Sequence, residues 1–185
     1  MRATDSKMNS LTAAHLFESA IAWLRDHYSN FQFFTERDVV WTVQSRLLTF
    51  VDQGAAGPYK VRNDYPMMLG TRADLAILDA VGDVDVAVEF KYEPSHARKD
   101  ILVTKFPVVS WGSDGVGRDV NRVQAYVGSA VARNAYAVFI DEGGHYRIRL
   151  PHPSSRWIDW GSVPRAGVSV LWTEGRAASA DTTKS

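Results

Sequence analysis

The sequence predicts an α/β domain in which a mixed central sheet is flanked by helices. Three observations carry that reading. Three stretches repeat apolar residues at helical spacing, and six short β-rich runs lie between and after them. The central order is helix, strand, strand, strand, helix, strand, which interleaves the two classes within one domain instead of segregating them. At 185 residues the chain is long enough for one hydrophobic core without disulfide or metal staples.

The elements follow in order. Residues 1–9 are polar and read as a flexible lead, residues 10–173 as a single domain, and residues 174–185, small and polar, as a disordered tail. From Leu11 to Tyr28, Leu11, Ala14, Phe17, Ala20, Ile21, Leu24 and Tyr28 recur at helical spacing, with Ser10 as the expected N-cap. A second helix opens at Thr35, where Thr35 and Asp38 imitate a capping box, and runs to about Asp52. Gly54, Gly57 and Pro58 then turn the chain.

Extended segments are expected over Tyr59–Met67, Thr71–Ala80 and Val84–Tyr92, the last two joined by a tight turn at Gly82-Asp83. Glu93 to Gly117 reads as a long irregular stretch whose Val103, Phe106 and Trp111 argue against simple disorder. Asp119–Arg133 is a third helix, and Ala135–Ile140 a strand buried on both faces. Tyr146–Leu150 and Val168–Trp172 read as further strands flanking a loop from Pro151 to Gly167, in which Trp157 and Trp160 are packing residues.

Composition excludes several classes. Without cysteine there are neither disulfides nor thiolate zinc sites, which suits a reducing cytoplasm. No apolar run is long enough to span a membrane, and the N-terminus lacks the apolar core of a signal peptide. The five histidines show no metal-ligand spacing, and no glycine-rich phosphate loop precedes a helix. Lys and Arg total 21 and Asp and Glu total 21, so the net charge is zero. A dedicated nucleic-acid binder is usually basic. A nuclease, however, carries carboxylates in its own site and can confine its basic groups to one face.

The chemistry is concentrated in two neighbouring segments. Asp74 lies among apolar residues in Arg72-Ala73-Asp74-Leu75-Ala76-Ile77. In Val86-Ala87-Val88-Glu89-Phe90-Lys91-Tyr92, strand alternation sends Glu89 and Lys91 to one side and Val86, Val88, Phe90 and Tyr92 to the other. Charges inside so apolar a strand are costly unless they pair or bind something. With Asp74 on the adjacent antiparallel strand, two carboxylates converge into a hard oxygen site suited to Mg²⁺ or Mn²⁺. A lysine beside them can orient or deprotonate a water and stabilise phosphate charge. Such an assembly suits in-line hydrolysis of a phosphodiester.

Asp74, fourteen intervening residues, and then Glu89-Phe90-Lys91 resemble the PD-(D/E)XK, or restriction-endonuclease-like, nuclease superfamily. The resemblance covers Thr35 to about Ile140. It implies an αβββαβ core with the motif on the second and third strands, and metal-dependent cleavage of nucleic acid, DNA before RNA. It also implies the Phe90 carbonyl oxygen as a metal ligand and an assisting glutamate on the preceding helix, for which Glu36 is the candidate and Glu18 the competitor. The proline that the family carries before its first acidic residue is Ala73 here, and Gln124 and Tyr126 do not keep the Gln-x-x-x-Tyr spacing of the RecB-like branch.

Other readings of the same residues remain open. Glu89 and Lys91 can be a surface ion pair contributing at most about 1 kcal/mol. Glu36 can simply favour the helix dipole, and Asp79 and Asp85 can be solvated hairpin residues. Asp119, Arg122 and Gln124 form the polar face of the third helix and can approach the site, as can His96. Arg98, Lys99, Lys105 and Arg122, with Trp111 nearby, are candidate nucleic-acid contacts. From Lys91 to Arg122, however, six basic against four acidic residues leave an excess of only two. The expected partner is nucleic acid. A catalytically inactive nuclease-fold module, a structural subunit and a homodimer or larger complex are the alternatives.

Overall fold

Alternation along one strand organises the molecule. In the computed structural model, which describes residues 11–54, 57–68, 70–100, 105–163 and 166–175, the strand β3 (Val84–Glu93) is at the centre of the sheet. Its large residues Val86, Val88, Phe90 and Tyr92 face one side and pack with the helices α1 (Ala13–His27) and α2 (Glu36–Asp52). On the other side Ala87 packs with Val123 and Tyr126 of α3 (Val116–Gly128).

The remaining strands are β1 (Lys60–Pro66), β2 (Arg72–Leu78), β4 (Ala132–Glu142), β5 (Ser155–Val163) and β6 (Ala166–Glu174). They form one six-stranded sheet in the order β1-β2-β3-β4-β6-β5. β3 and β4 are parallel, and every other neighbouring pair is antiparallel. The fold is therefore α/β with a mixed sheet and helices on both faces, and α2-β1-β2-β3-α3-β4 follow in the expected succession. Parallel pairing requires a crossover connection, and α3 supplies it. Among the described residues no helix is long and apolar enough to cross a membrane.

The two faces differ in side-chain size. Against α1 and α2 the sheet presents Leu75, Ile77, Phe90, Tyr136, Ile140 and Trp172, and Phe17 lies among their rings, 4.9 Å from Tyr136 and 5.9 Å from Trp172 between centroids. Toward α3 it presents Ala73, Ala76, Ala87, Ala135 and Ala137, together with the larger Leu78, Val84, Phe139 and Leu171. Small residues let α3 lie close to the sheet. Side chains from its first turns then reach the polar residues of β3.

Several element boundaries differ from the sequence reading. The cap of α1 is Thr12, whose hydroxyl accepts from His15 N at 3.2 Å; Ser10, like the lead and residues 176–185 of the tail, lies outside the described residues. The capping box at Thr35 and Asp38 is present, and so is the turn after Asp79, whose carboxylate accepts the backbone N–H groups of Val81, Gly82 and Asp83. Helix α3 starts three residues before Asp119 and ends at Gly128, because Ala130 takes a positive φ of 54°. Arg133 consequently belongs to β4, where it pairs with Asp79 and Asp85.

Tyr146–Leu150 is not a strand. Asp141 accepts from His145 N and Tyr146 N and folds the segment into turns, leaving Ile148 and Leu150 92% and 89% exposed. Within the expected Pro151–Gly167 loop runs the edge strand β5, bulged between Asp159 and Ser162. That bulge interrupts the period-2 pattern by which a strand is recognised, and it accounts for the miss.

The approach to α3 depends on Gly115, because a Cβ there would overlap the Ser110 carbonyl, whereas at Gly128 it would meet nothing within 4 Å. Gly115→Ala is expected to lower unfolding stability by roughly 2 kcal/mol or more. Gly128→Ala should leave it unchanged or raise it by up to about 1 kcal/mol. Urea denaturation of both variants measures the difference.

Candidate active site

The ladder between β2 and β3 pairs Leu75 with Val88, which brings Asp74 beside Glu89. Beyond that pair a side chain takes over from the ladder: Asp74 Oδ2 accepts the Phe90 N–H at 2.7 Å. Asp74 is thereby held by the backbone of the strand that carries the other candidate residues.

Glu89 is 1% exposed. Tyr126 donates its hydroxyl to Glu89 Oε1 at 2.7 Å, and Arg122 donates Nη1–H to Oε2 at 3.2 Å. Lys91, two residues on and on the same face, extends Nζ to Glu36 Oε2 at 3.0 Å, Asp119 Oδ2 at 3.1 Å and the Phe90 carbonyl oxygen at 2.9 Å. Four elements therefore meet. Strands β2 and β3 supply Asp74, Glu89 and Lys91, the first turn of α2 supplies Glu36, and one face of α3 supplies Asp119, Arg122 and Tyr126. The spacing of those three, at i, i+3 and i+7, places them on one side of a helix.

Charge in the cluster is unbalanced. The carboxylates of Glu36, Asp74, Glu89 and Asp119 face the cations Lys91, Arg122 and Arg118, so four charges against three leave an excess of one negative charge when all are ionised. Burial and, next, the nearby Asp74 carboxylate push Glu89 from its ordinary 4.5 up to about 8. Burial raises Asp74 and Glu36 as well. For Lys91 burial works against the charge, but the Glu36 and Asp119 carboxylates outweigh it and the net direction is upward. Lys91 is thus a firmly held ammonium, which fits donation to a water or phosphate oxygen better than proton abstraction.

Both Asp119 carboxylate oxygens are buried without a hydrogen-bond partner, but each has a cation within ion-pair distance, Lys91 at Oδ2 and Arg118 and Arg122 at Oδ1. The all-oxygen donor set of Glu36, Asp74, Glu89 and Asp119 is chemically suited to a hard divalent cation. The geometry is closed around the protein's own cations. Among the described residues no three His, Asp or Glu side chains are grouped to hold a metal. A pocket lined by Glu89, Lys91 and Asp119 has a volume of about 10 Å³, the lower limit for one water. On the opposite side Glu36 and Asp74 border an open cleft of about 160 Å³.

Other candidates lie elsewhere. Glu18 accepts from Tyr136 OH on the α1 side, so Glu36 is the glutamate that joins the cluster. Gln124 donates to Ser154 Oγ and to the Glu174 carbonyl. His96 bonds to Glu93 Oε1 and stacks on His145. Arg98 is engaged with Asp100 and the Phe33 carbonyl, and Trp111 stacks on Tyr146 and Trp157. Lys99 and Lys105 are exposed. One contributor escaped the sequence reading: Tyr126 was legible only as part of an apolar stripe. Of the polar face expected to approach the site, Asp119 and Arg122 reach it and Gln124 does not.

The raised Glu89 has a consequence for stability. Between its ordinary value near 4.5 and its folded value near 8, the native state keeps a proton that the unfolded chain has lost. Metal-free protein should therefore lose stability as pH rises through that window, by up to about 1.4 kcal/mol per pH unit. Glu89→Gln should flatten the slope, as read from urea midpoints across the window.

No protein-family model, no curated protein and no solved structure matches this chain.

Proposed function

We propose that this chain is a metal-dependent nuclease of the restriction-endonuclease-like type, hydrolysing phosphodiesters in nucleic acid, DNA in preference to RNA. The observation that carries the reading is the convergence of Asp74, Glu89, Lys91 and Glu36, with Asp119, from four elements into one half-buried cluster of charged groups. A structural ion pair needs two charges. Seven charged groups, drawn from four elements around one buried carboxylate, exceed what a structural ion pair needs. The order α2-β1-β2-β3-α3-β4, with Asp74 on the second strand and Glu89 and Lys91 on the third, supports an αβββαβ core of that type.

In this reading Asp74 and Glu89 hold Mg²⁺ or Mn²⁺, with the Phe90 carbonyl oxygen as a further ligand. When bound, the metal supplies Lewis acidity toward a phosphate oxygen and lowers the pKa of a water. The chain's own residues do the rest. Glu36 and Asp119 hold Lys91 charged, so its ammonium can orient the attacking water and offset charge developing on the phosphate. Arg122 and Tyr126 fix the Glu89 carboxylate from both oxygens. Lys91 must leave the Phe90 carbonyl for that oxygen to serve a metal.

The tightness of the Lys91 contacts, together with the zero net charge, favours one alternative, a nuclease-fold module that binds nucleic acid or a protein partner without catalysis. Calorimetric titration of Mg²⁺ and Mn²⁺, paired with cleavage of plasmid and single-stranded DNA, separates the two. Asp74→Ala is expected to abolish both metal binding and cleavage. Lys91→Ala should retain metal binding while cleavage falls by roughly 10²- to 10³-fold. Metal binding without cleavage on any substrate points to the inactive module, and no metal binding by wild type sinks the nuclease reading.

A further inference from the structure

Aromatic and arginine side chains alternate along the outer surface of α2, starting at the candidate site. Trp41 follows Glu36 by five residues and borders the same cleft as Glu36 and Asp74. Its side chain is 55% exposed, with the Arg37 guanidinium carbon 6.0 Å from the ring centroid. Trp41 also borders a second, larger cleft of about 480 Å³, shared with Trp23, Phe31 and Arg46. There the Arg46 guanidinium carbon lies 5.1 Å from the Trp23 centroid and 4.4 Å from that of Phe50. Arg46 Nε is buried without a hydrogen-bond partner.

We propose that this strip is a track for single-stranded nucleic acid. Trp41 stacks a base next to a phosphodiester in the cleft that Glu36 and Asp74 border, Arg37 contacts an adjoining phosphate, and the following base enters the cleft bounded by Trp23 and Arg46. The inference rests on the nuclease reading for where the scissile phosphate lies, and it names the substrate of that site. Charge argues for a single strand. A duplex offers mainly phosphates and groove edges, and holding it takes an extended basic surface. This chain has no net charge, and Glu36, Asp64 and Asp74 border the first cleft. Unpaired bases offer their faces instead, and aromatic rings interleaved with arginines bind those with little dependence on sequence. In a duplex the same faces are covered by neighbouring bases.

The rival occupant is a second copy of this chain, because Phe34 and Leu48 are also exposed, at 48% and 41%. Continuity with the carboxylate site favours nucleic acid, since Trp41 is a wall of the cleft that Glu36 and Asp74 border.

Fluorescence anisotropy with labelled short single-stranded DNA, single-stranded RNA and duplex DNA tests the track. Measurements in Ca²⁺ buffer keep the carboxylates compensated by an oxygen-preferring cation. Trp41→Ala is expected to weaken binding of both single strands roughly 10- to 100-fold. Trp41→Phe should restore most of that loss, and the weaker duplex binding should not change. Unchanged single-strand binding in Trp41→Ala, an equal loss on duplex, or no single-strand binding by wild type overturns the track. Light scattering that shows a wild-type dimer lost in Trp41→Ala, with nucleic-acid affinity unchanged, assigns the strip to self-association and also overturns it. Cleavage assays keep the two readings apart. A wild type that cleaves, with Trp41→Ala binding normally, removes the track and leaves the nuclease. Selective loss of single-strand binding in Trp41→Ala, with no cleavage by wild type, does the reverse.

Discussion

A carboxylate is most expensive where water cannot reach it, and Glu89 is placed there on the central strand of the sheet. Arg122 and Tyr126 each engage one of its oxygens, yet burial and the neighbouring Asp74 still push its pKa far upward. Glu36 and Asp119 add further negative charge, and Lys91 answers both. Much of the local architecture exists to make this arrangement tolerable. Helix α3 must lie close enough for Asp119, Arg122 and Tyr126 to reach β3, and α2 must begin where Glu36 can meet Lys91.

Close approach follows from the size asymmetry of the sheet. Large aliphatic and aromatic side chains fill the side of α1 and α2, while the side of α3 is richer in alanine, with Leu78, Val84, Phe139 and Leu171 among the alanines. An all-large face would hold α3 away and leave Glu89 without donors, at a cost of the kind expected for an unpaired buried charge. Packing and electrostatics are therefore coupled. The core on one face anchors the sheet, and the shallow face on the other brings a polar helix to within hydrogen-bond distance.

A second set of buried acids lies at the ends of β3 and β4, where Glu93 and Asp141 order the segments that follow. Glu93 accepts the N–H groups of Val108 and Val109, each at 2.8 Å, and Asp141, opposite Glu93 on β4, accepts those of His145 and Tyr146. Glu142 accepts hydroxyls from Tyr28 and Tyr92. Glu93 and Asp141 thus satisfy loop N–H groups that have no ladder partner, as buried backbone groups require. They lie at the C-terminal ends of the parallel strands and belong to loop architecture, separate from the cluster at Asp74.

Local patterning made most of the fold legible. Helical periodicity marked α1 and α2, the Thr35–Asp38 box marked the start of α2, and alternation in β3 separated Phe90 from Glu89 and Lys91 by face. The two acidic and one basic residues of the motif were legible because charges inside apolar strands stand out. Tertiary structure decided the rest. Glu36, the candidate on the helix preceding the first strand, joins the cluster and Glu18 does not, because α2 and not α1 begins beside β3's polar face. Asp119 and Tyr126 become site residues only through contacts 28 and 37 positions away in sequence. The edge strand β5 and the turns at Tyr146–Leu150 were exchanged because a bulge and a carboxylate-capped turn break the period on which strand recognition depends. The sequence determined by itself which residues are apolar, which are charged and how they alternate. Which charges share one low-dielectric space was settled by packing, since electrostatic coupling depends on distance through space and not along the chain.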